Sequence, residues 1–308
     1  MHILSTIAAL SLISVGPAFA AEAWQQEIAS GLGKPGTEMP GGVYRVSLPR
    51  TDLKVTLDGV ELKPAFALGS WLAFKPMGNE VTVMGDLVLT EDEIAPVMTR
   101  LEEGGVAVTA LHNHLLRASP NPFYMHVEGH GAPAKLATTL NGALGASQTP
   151  FGAETAGISA DAAAQAATTG SAEQRIDLDT AVIDQALGRK GKINGGVYQV
   201  SVSRAERPKE AGMEVPEAMG SAIAINFQAT GPGKVATTGD FVLTADEVNP
   251  VLRALRTNGI EVTAIHNHML GDEPRLFFMH FWANDDAQKV GKGLRAALDQ
   301  IKVEKAAR

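Results

Sequence analysis

The stretch MGDLVLTEDEIAPVMTRLEEGGVAVTALHNH, residues 84–114, returns as TGDFVLTADEVNPVLRALRTNGIEVTAIHNH at residues 238–268, an offset of 154 without a gap. Seventeen of the 31 aligned positions are identical, so the chain carries two copies of one structural unit. The same offset takes Gly41-Gly42-Val43-Tyr44 onto Gly195-Gly196-Val197-Tyr198, and Phe123-Tyr124-Met125-His126 onto Phe277-Phe278-Met279-His280. Around the start of the stretch, Val81 to Leu89 reads as a strand broken near Gly85. Thr90 and Glu93 then form a capping box at a helix N-terminus, repeated by Thr244 and Glu247. Pro96 and Pro250 fall a turn later. Proline lacks the backbone donor a helix interior needs, so a loose turn is expected first, with the regular helix beginning at the proline. Gly105 and Asn258-Gly259 supply the stop, and Val106 to His114 reads as the next strand.

Working outward, Val43 to Ser47, Trp71 to Lys75 and Asn121 to Val127 also read as strands. Short helices, Trp24 to Leu32 and Asp179 to Leu187, open the units, and further helices near Ala132 to Leu144 and Asp286 to Ile301 close them. The pattern predicts an α+β fold of two homologous units, each a largely antiparallel sheet with helices on one face. The units span residues 21–144 and 175–308 and are expected to pack about a pseudo-two-fold axis. Between them, 145–174 is rich in Ala, Gly, Ser and Thr and reads as a flexible linker, because it has little apolar surface to bury. Residues 1–20 read as a cleaved secretory signal: Ile3 to Phe19 is apolar, too short and too broken by Gly16-Pro17 to span a bilayer, and ends in Ala18-Phe19-Ala20. That predicts a periplasmic or secreted protein.

The 308 residues carry a net charge of −8, which argues against a nucleic-acid partner bound through a broad basic surface. With hydrophobic residues at 45% and charged residues at 19%, the chain is neither a disordered polyelectrolyte nor a polytopic membrane protein. There is no cysteine, so disulfides, thiolate metal sites and thiol nucleophiles are excluded. Any metal must be held by nitrogen and oxygen, which turns attention to the eight histidines.

Six of them repeat: His112, His114 and His126 in the first unit, His266, His268 and His280 in the second. In a strand, positions i and i+2 share a face, so each H-x-H sets two imidazoles side by side. A hairpin turn centred on Ser119 or Glu273 would put His126 opposite His112 and His280 opposite His266. Three imidazoles converging on one face leave a coordination position open, as a catalytic zinc site requires. The expected ligand is therefore a divalent transition metal, zinc or copper, held by one triplet per repeat or in a site shared between the units. The alternatives are a metal-dependent hydrolase with Glu273 or Glu128 as base, and a histidine-lined pocket for a small ligand without metal. Asp86 and Asp240 could orient an imidazole or serve a turn. His130 has no counterpart and reads as a loop residue; Asn113 and Asn267 read as structural; Tyr124, Phe278 and Trp282 read as wall.

The runs Thr244-Ala245-Asp246-Glu247-Val248-Asn249-Pro250-Val251, Ile265-His266-Asn267-His268-Met269 and Met279-His280-Phe281-Trp282, together with Leu111-His112-Asn113-His114 and Tyr124-Met125-His126-Val127-Glu128-Gly129-His130-Gly131, resemble the LppY/LpqO-type bacterial secreted proteins. The resemblance covers both repeats and implies export and a two-unit arrangement, but supplies no reaction. Named members of that family are lipoproteins. This chain has no cysteine to acylate, which predicts no membrane anchor after signal cleavage.

Overall fold

The computed structural model describes residues 22–150 and 176–304. The expected signal, residues 1–20, and residues 151–174 of the expected linker lie outside the described residues. The first unit runs α1 (Ala23–Leu32), β1 (Thr37–Met39), β2 (Val43–Pro49), β3 (Thr56–Leu57), β4 (Val60–Glu61), α2 (Pro64–Ala67), β5 (Gly69–Met77), β6 (Glu80–Leu89), α3 (Glu91–Glu103), β7 (Ala107–His112), β8 (Phe123–Gly131) and α4 (Pro133–Leu144). The second repeats it as α5 (Thr180–Leu187), β9 (Lys192–Asn194), β10 (Val197–Val202), β11 (Lys209–Glu210), β12 (Met213–Glu214), a 3-10 turn (Glu217–Met219), β13 (Ile223–Gly231), β14 (Lys234–Leu243), α6 (Ala245–Thr257), β15 (Glu261–His266), β16 (Phe277–Asp286) and α7 (Ala287–Leu298). Each unit builds one six-stranded antiparallel sheet, in the orders β1-β2-β5-β6-β8-β7 and β9-β10-β13-β14-β16-β15. This is the α+β class expected, in two copies.

Strand alternation assigns the two faces of each sheet. In unit one Tyr44, Val46, Leu72, Phe74, Val83, Leu87, Met125 and Val127 point to one side, where they pack on Ile28, Val97, Leu101, Leu136 and Leu140 of the helices. The opposite face meets the other unit. Val43, Ala73 and Met84 belong to the core of unit two, and Val88 and Tyr124 share a third cluster with Val197, Ala236 and Trp282. Irregular excursions seal the join. Lys63 and Glu61, just before α2, exchange hydrogen bonds with Gln228 on β13 at 2.9 and 2.8 Å, and Arg45 on β2 donates to the Ala218 carbonyl in the 3-10 turn at 2.6 Å.

Three local expectations change. Strand β6 is unbroken through Gly85. The glycine is there because a Cβ would stand 2.9 Å from the Trp71 carbonyl oxygen on β5, so the neighbouring strand leaves no room for a side chain. Helix α3 does not wait for its proline either. It starts at Glu91, runs through Pro96, and α6 likewise runs through Pro250. The strand after α3 ends at His112, two residues short of the expected His114.

The turn ahead of Pro96 is anchored from several sides. Glu93 closes the capping box by accepting from the Thr90 N–H at 2.8 Å, and also accepts from the Gln148 N–H at 2.7 Å and from Arg50 at 2.7 Å. Arg50 is fully buried and donates as well to the Val88 carbonyl at 2.7 Å. Unit two repeats the device: Arg204 reaches Glu247 at 2.6 Å and the Val242 carbonyl at 2.7 Å, and the Lys302 N–H reaches Glu247 at 3.2 Å. Each arginine thus ties a strand end to the first turn of a helix, and the glutamate it holds ties that turn to the chain segment that follows the last helix. The residues just past α4, Ala146 to Thr149, are held to unit one by this contact and by packing. Replacing Arg204 by methionine strands the Glu247 charge in the interior. Urea denaturation is expected to show a loss of about 3–5 kcal/mol, and a loss under about 1 kcal/mol would show that the pair behaves as a surface contact.

Candidate metal centre

The site starts from the β7–β8 and β15–β16 hairpins. The expected register, His112 opposite His126, is not the one formed. His112 faces Tyr124 and His126 faces Ala110; in unit two His266 faces Phe278 and His280 faces Ala264. The pairing has slipped by two positions, which preserves parity, so His112 and His126 still share a face. His114 lies beyond the strand end and comes back over the sheet, where its ring stacks on Tyr124 at 3.7 Å between centroids; His268 stacks on Phe278 at 3.4 Å.

That face is the one buried between the units, and the two triplets merge rather than forming one site per repeat. Ring centroids stand 3.5 Å apart for His112–His266, 3.7 Å for His114–His280 and 3.8 Å for His126–His268. His112 and His266 are counterparts under the offset of 154, whereas the other two pairs exchange counterparts. A pseudo-two-fold axis therefore passes between His112 and His266. The six rings form a single cluster at the centre of the molecule.

Among the described residues, possible ligand atoms gather in three groups, each with all atoms within 4.8 Å of one another: His112, His126, His266 and His268; His112, His114 and His280; and Asp240, His268 and His280. Four atoms set tetrahedrally at about 2.0–2.1 Å from a metal stand roughly 3.3 Å apart, so small rotations would close the first group on one ion. Its Nε2 atoms of His112 and His126 are already 3.0 Å apart. Any two groups share a histidine, so independent ions cannot fill them all without an imidazole bridge.

Electrostatics prepare these rings as ligands. Burial, and then repulsion among the rings, disfavours the protonated forms: His126 is pushed down to about 3 and His266 to about 4, and His112, His114 and His268 are also lowered. Neutral imidazole is the metal-binding form. Nδ1 of His112 and His114 and Nε2 of His266, His268 and His280 are buried and make no hydrogen bond within the protein. Leaving that many buried donors and acceptors unpaired is costly, and a bound ion would satisfy those that it ligates.

Two carboxylates stand behind the rings. Asp86 is opposite His126 and Asp240 opposite His280 in the ladders, and Asp240 approaches His280 Nδ1 at 2.6 Å, the position of a carboxylate that orients a ligand. Burial would raise the Asp240 pKa, but His280, His266 and His126 together outweigh it and the group is lowered. Asp86, which has no such contact, is raised by burial and by Asp240 against the opposing pull of Arg45.

Glu128, on β8, lines a cavity of about 20 Å³ together with His126, His268 and the methionines 84, 219 and 269. Glu273 is elsewhere. It is exposed, its backbone is paired with Lys209, and it is neither in a ligand group nor in the cavity wall. His130 proves to be on strand β8 rather than in a loop, exposed and 2.7 Å from Glu80. Asn113 and Asn267 are structural: Asn113 bridges Asn121 and the Leu115 N–H, and Asn267 donates to the Thr109 and Met269 carbonyls. The methionines were not singled out from sequence. The signal was present in two of them, since Met84 lies two positions before Asp86 and Met269 directly follows His266-Asn267-His268.

Among solved structures, the chain is similar to PduB, a trimeric bacterial microcompartment shell protein, at 11% identity over 88% of this chain and 96% of that one, with a TM-score of 0.21. EtuB from Clostridium kluyveri matches at 9% identity over 86% and 89%, with a TM-score of 0.20. Scores this low give the likeness no weight for function or assembly. No curated protein matches the chain. The family comparison matches residues 26–146 and again 181–300, the two repeats in turn, and the chain therefore belongs to the family described as Domain of Unknown Function (DUF1259).

Proposed function

We propose that the protein is an exported, LppY/LpqO-type member of its family that binds a transition-metal ion, zinc or copper, in the histidine cluster between its repeats. The observation that carries this reading is the set of buried, neutral imidazoles whose ring nitrogens have no partner in the protein. Nitrogen donors suit both ions. The test is metal analysis of the purified protein with alanine at His112, His114 and His126. Because every imidazole-only group draws on both units, these changes are expected to cut bound metal to about a tenth or less. Retention of half would mean two independent sites. No metal on the unaltered protein after zinc or copper loading would leave a histidine-lined pocket for a non-metal ligand as the surviving reading.

A hydrolase is the second reading, and Glu128 favours it. Burial, reinforced by the nearby Glu210 carboxylate, pushes Glu128 up to about 7, where a general base works at neutral pH, and it lines the same cavity as His126. If that reading holds, Glu128→Gln abolishes turnover of an ester or phosphoester screen while metal content is unchanged. Activity equal to that of the unaltered protein would remove Glu128 as the base.

Acid should weaken the metal-free fold in a defined window. In the unfolded chain the histidines take protons near 6.5, while His126 and His266 stay neutral in the fold down to about 3 and 4. The unfolded state then binds more protons, so stability is complete above about 6.5 and falls as pH drops toward 4, by about 1.4 kcal/mol per pH unit for each histidine kept neutral. Urea midpoints between pH 8 and pH 5 measure the slope, which His114→Gln with His268→Gln should reduce.

A further inference from the structure

The pseudo-two-fold axis gives each residue around the cluster a counterpart 154 positions along the chain, and the two approaches to the rings have diverged. On one approach the cavity reaches His126 and His268 between Met84, Met269 and Glu128. The counterparts of these three are Thr238, Leu115 and Trp282. That second approach is filled. Trp282 is 4% exposed, its indole N–H donates to Asp58 at 3.0 Å, and its ring meets Phe66 edge-on with centroids 6.2 Å apart; Leu115 is fully buried beside it in the same apolar cluster.

The open approach is lined by Met84, Met219 and Met269, three of the ten methionines in the chain, and all three are buried. Met219 comes from the 3-10 turn of unit two and Met84 from the sheet of unit one, so the three methionine side chains are brought to one cavity by the fold and not by the local sequence. The cavity has room for about one water-sized group. A thioether cannot be protonated and is a soft, polarisable ligand. Beside imidazole it selects cuprous copper over zinc, which gains little from thioether sulfur.

We infer that the metal is copper, taken up as the cuprous ion from one side only, with Met84, Met219 and Met269 as the first ligands and His126 and His268 as the receiving ones. Glu128, in the same wall, adds a carboxylate that draws a cation inward. No electron transfer is involved, since the ion arrives and stays in the same oxidation state. The inference rests on the metal-binding reading above.

The test uses the metal-free full-length protein, titrated anaerobically with cuprous ion against a colorimetric cuprous chelator and separately with zinc against a fluorescent one. The triple variant Met84→Leu, Met219→Leu, Met269→Leu preserves apolar volume. It is expected to lose roughly tenfold or more in cuprous affinity or uptake rate with zinc binding unchanged. A copper–sulfur path in X-ray absorption of the partly loaded protein should disappear in the same variant. If the triple variant does not fold, Met219→Leu alone, at the turn, carries the rate measurement. Unaltered cuprous binding in the folded variant overturns the inference and leaves the metal-binding reading standing, as does a protein that takes zinc but not cuprous ion. A protein that takes neither ion overturns both.

Discussion

Where the inner faces of the two sheets meet, the centre of the contact is imidazole rather than hydrocarbon. Six rings, two aspartates and a tyrosine occupy the position where a β-sandwich ordinarily interdigitates aliphatic side chains. Taking these groups out of water costs free energy that must be supplied around the rim, and the rim is built accordingly. Val43, Ala73 and Met84 enter the core of the opposite unit, Trp282 and Phe66 close a second apolar cluster, and each excursion from one unit is hydrogen-bonded to the other. The rings are thereby held stacked, with their nitrogens gathered at close range.

The duplication explains how such a cluster is specified by a single motif. Two copies of one hairpin, facing each other across an axis between His112 and His266, bring six imidazoles together from three positions. The exchange of partners, His114 with His280 and His126 with His268, follows from the symmetry without further information in the sequence. Symmetry then leaves the periphery free to diverge. Glu128 and Trp282 occupy equivalent places and have opposite consequences, one lining a cavity and the other filling its counterpart.

The paired arginines act at a different level. Arg50 and Arg204 do not touch the histidines; they fix the helix that precedes β7 and β15. The first turn of helix α3, ahead of its internal proline, is held from three directions through Glu93, and the strand that carries the cluster follows that helix. A buried ion pair is weak support for stability in general, but removal of one partner is expensive, and here that expense would fall on the element that positions the site.

The repeat, the α+β class, the capping boxes and the helix stops at Gly105 and Gly259 were legible in the sequence, because each is set by local geometry or by identity at a fixed offset. So was the histidine triplet as a repeated feature, since an H-x-H with a third histidine recurs in both copies. The role of Gly85 was not, because the close approach of β5 that requires it is a contact between strands. The hairpin register was misplaced by two positions, because the connection from β7 to β8 is centred on Ala118 rather than Ser119, and a connection this long and irregular does not fix its own centre by residue spacing. Tertiary structure alone decided that the two triplets are one cluster. Which face of a sheet is covered by helices and which by a second sheet depends on the packing of whole units, and alternation along a strand reports only that its two faces differ.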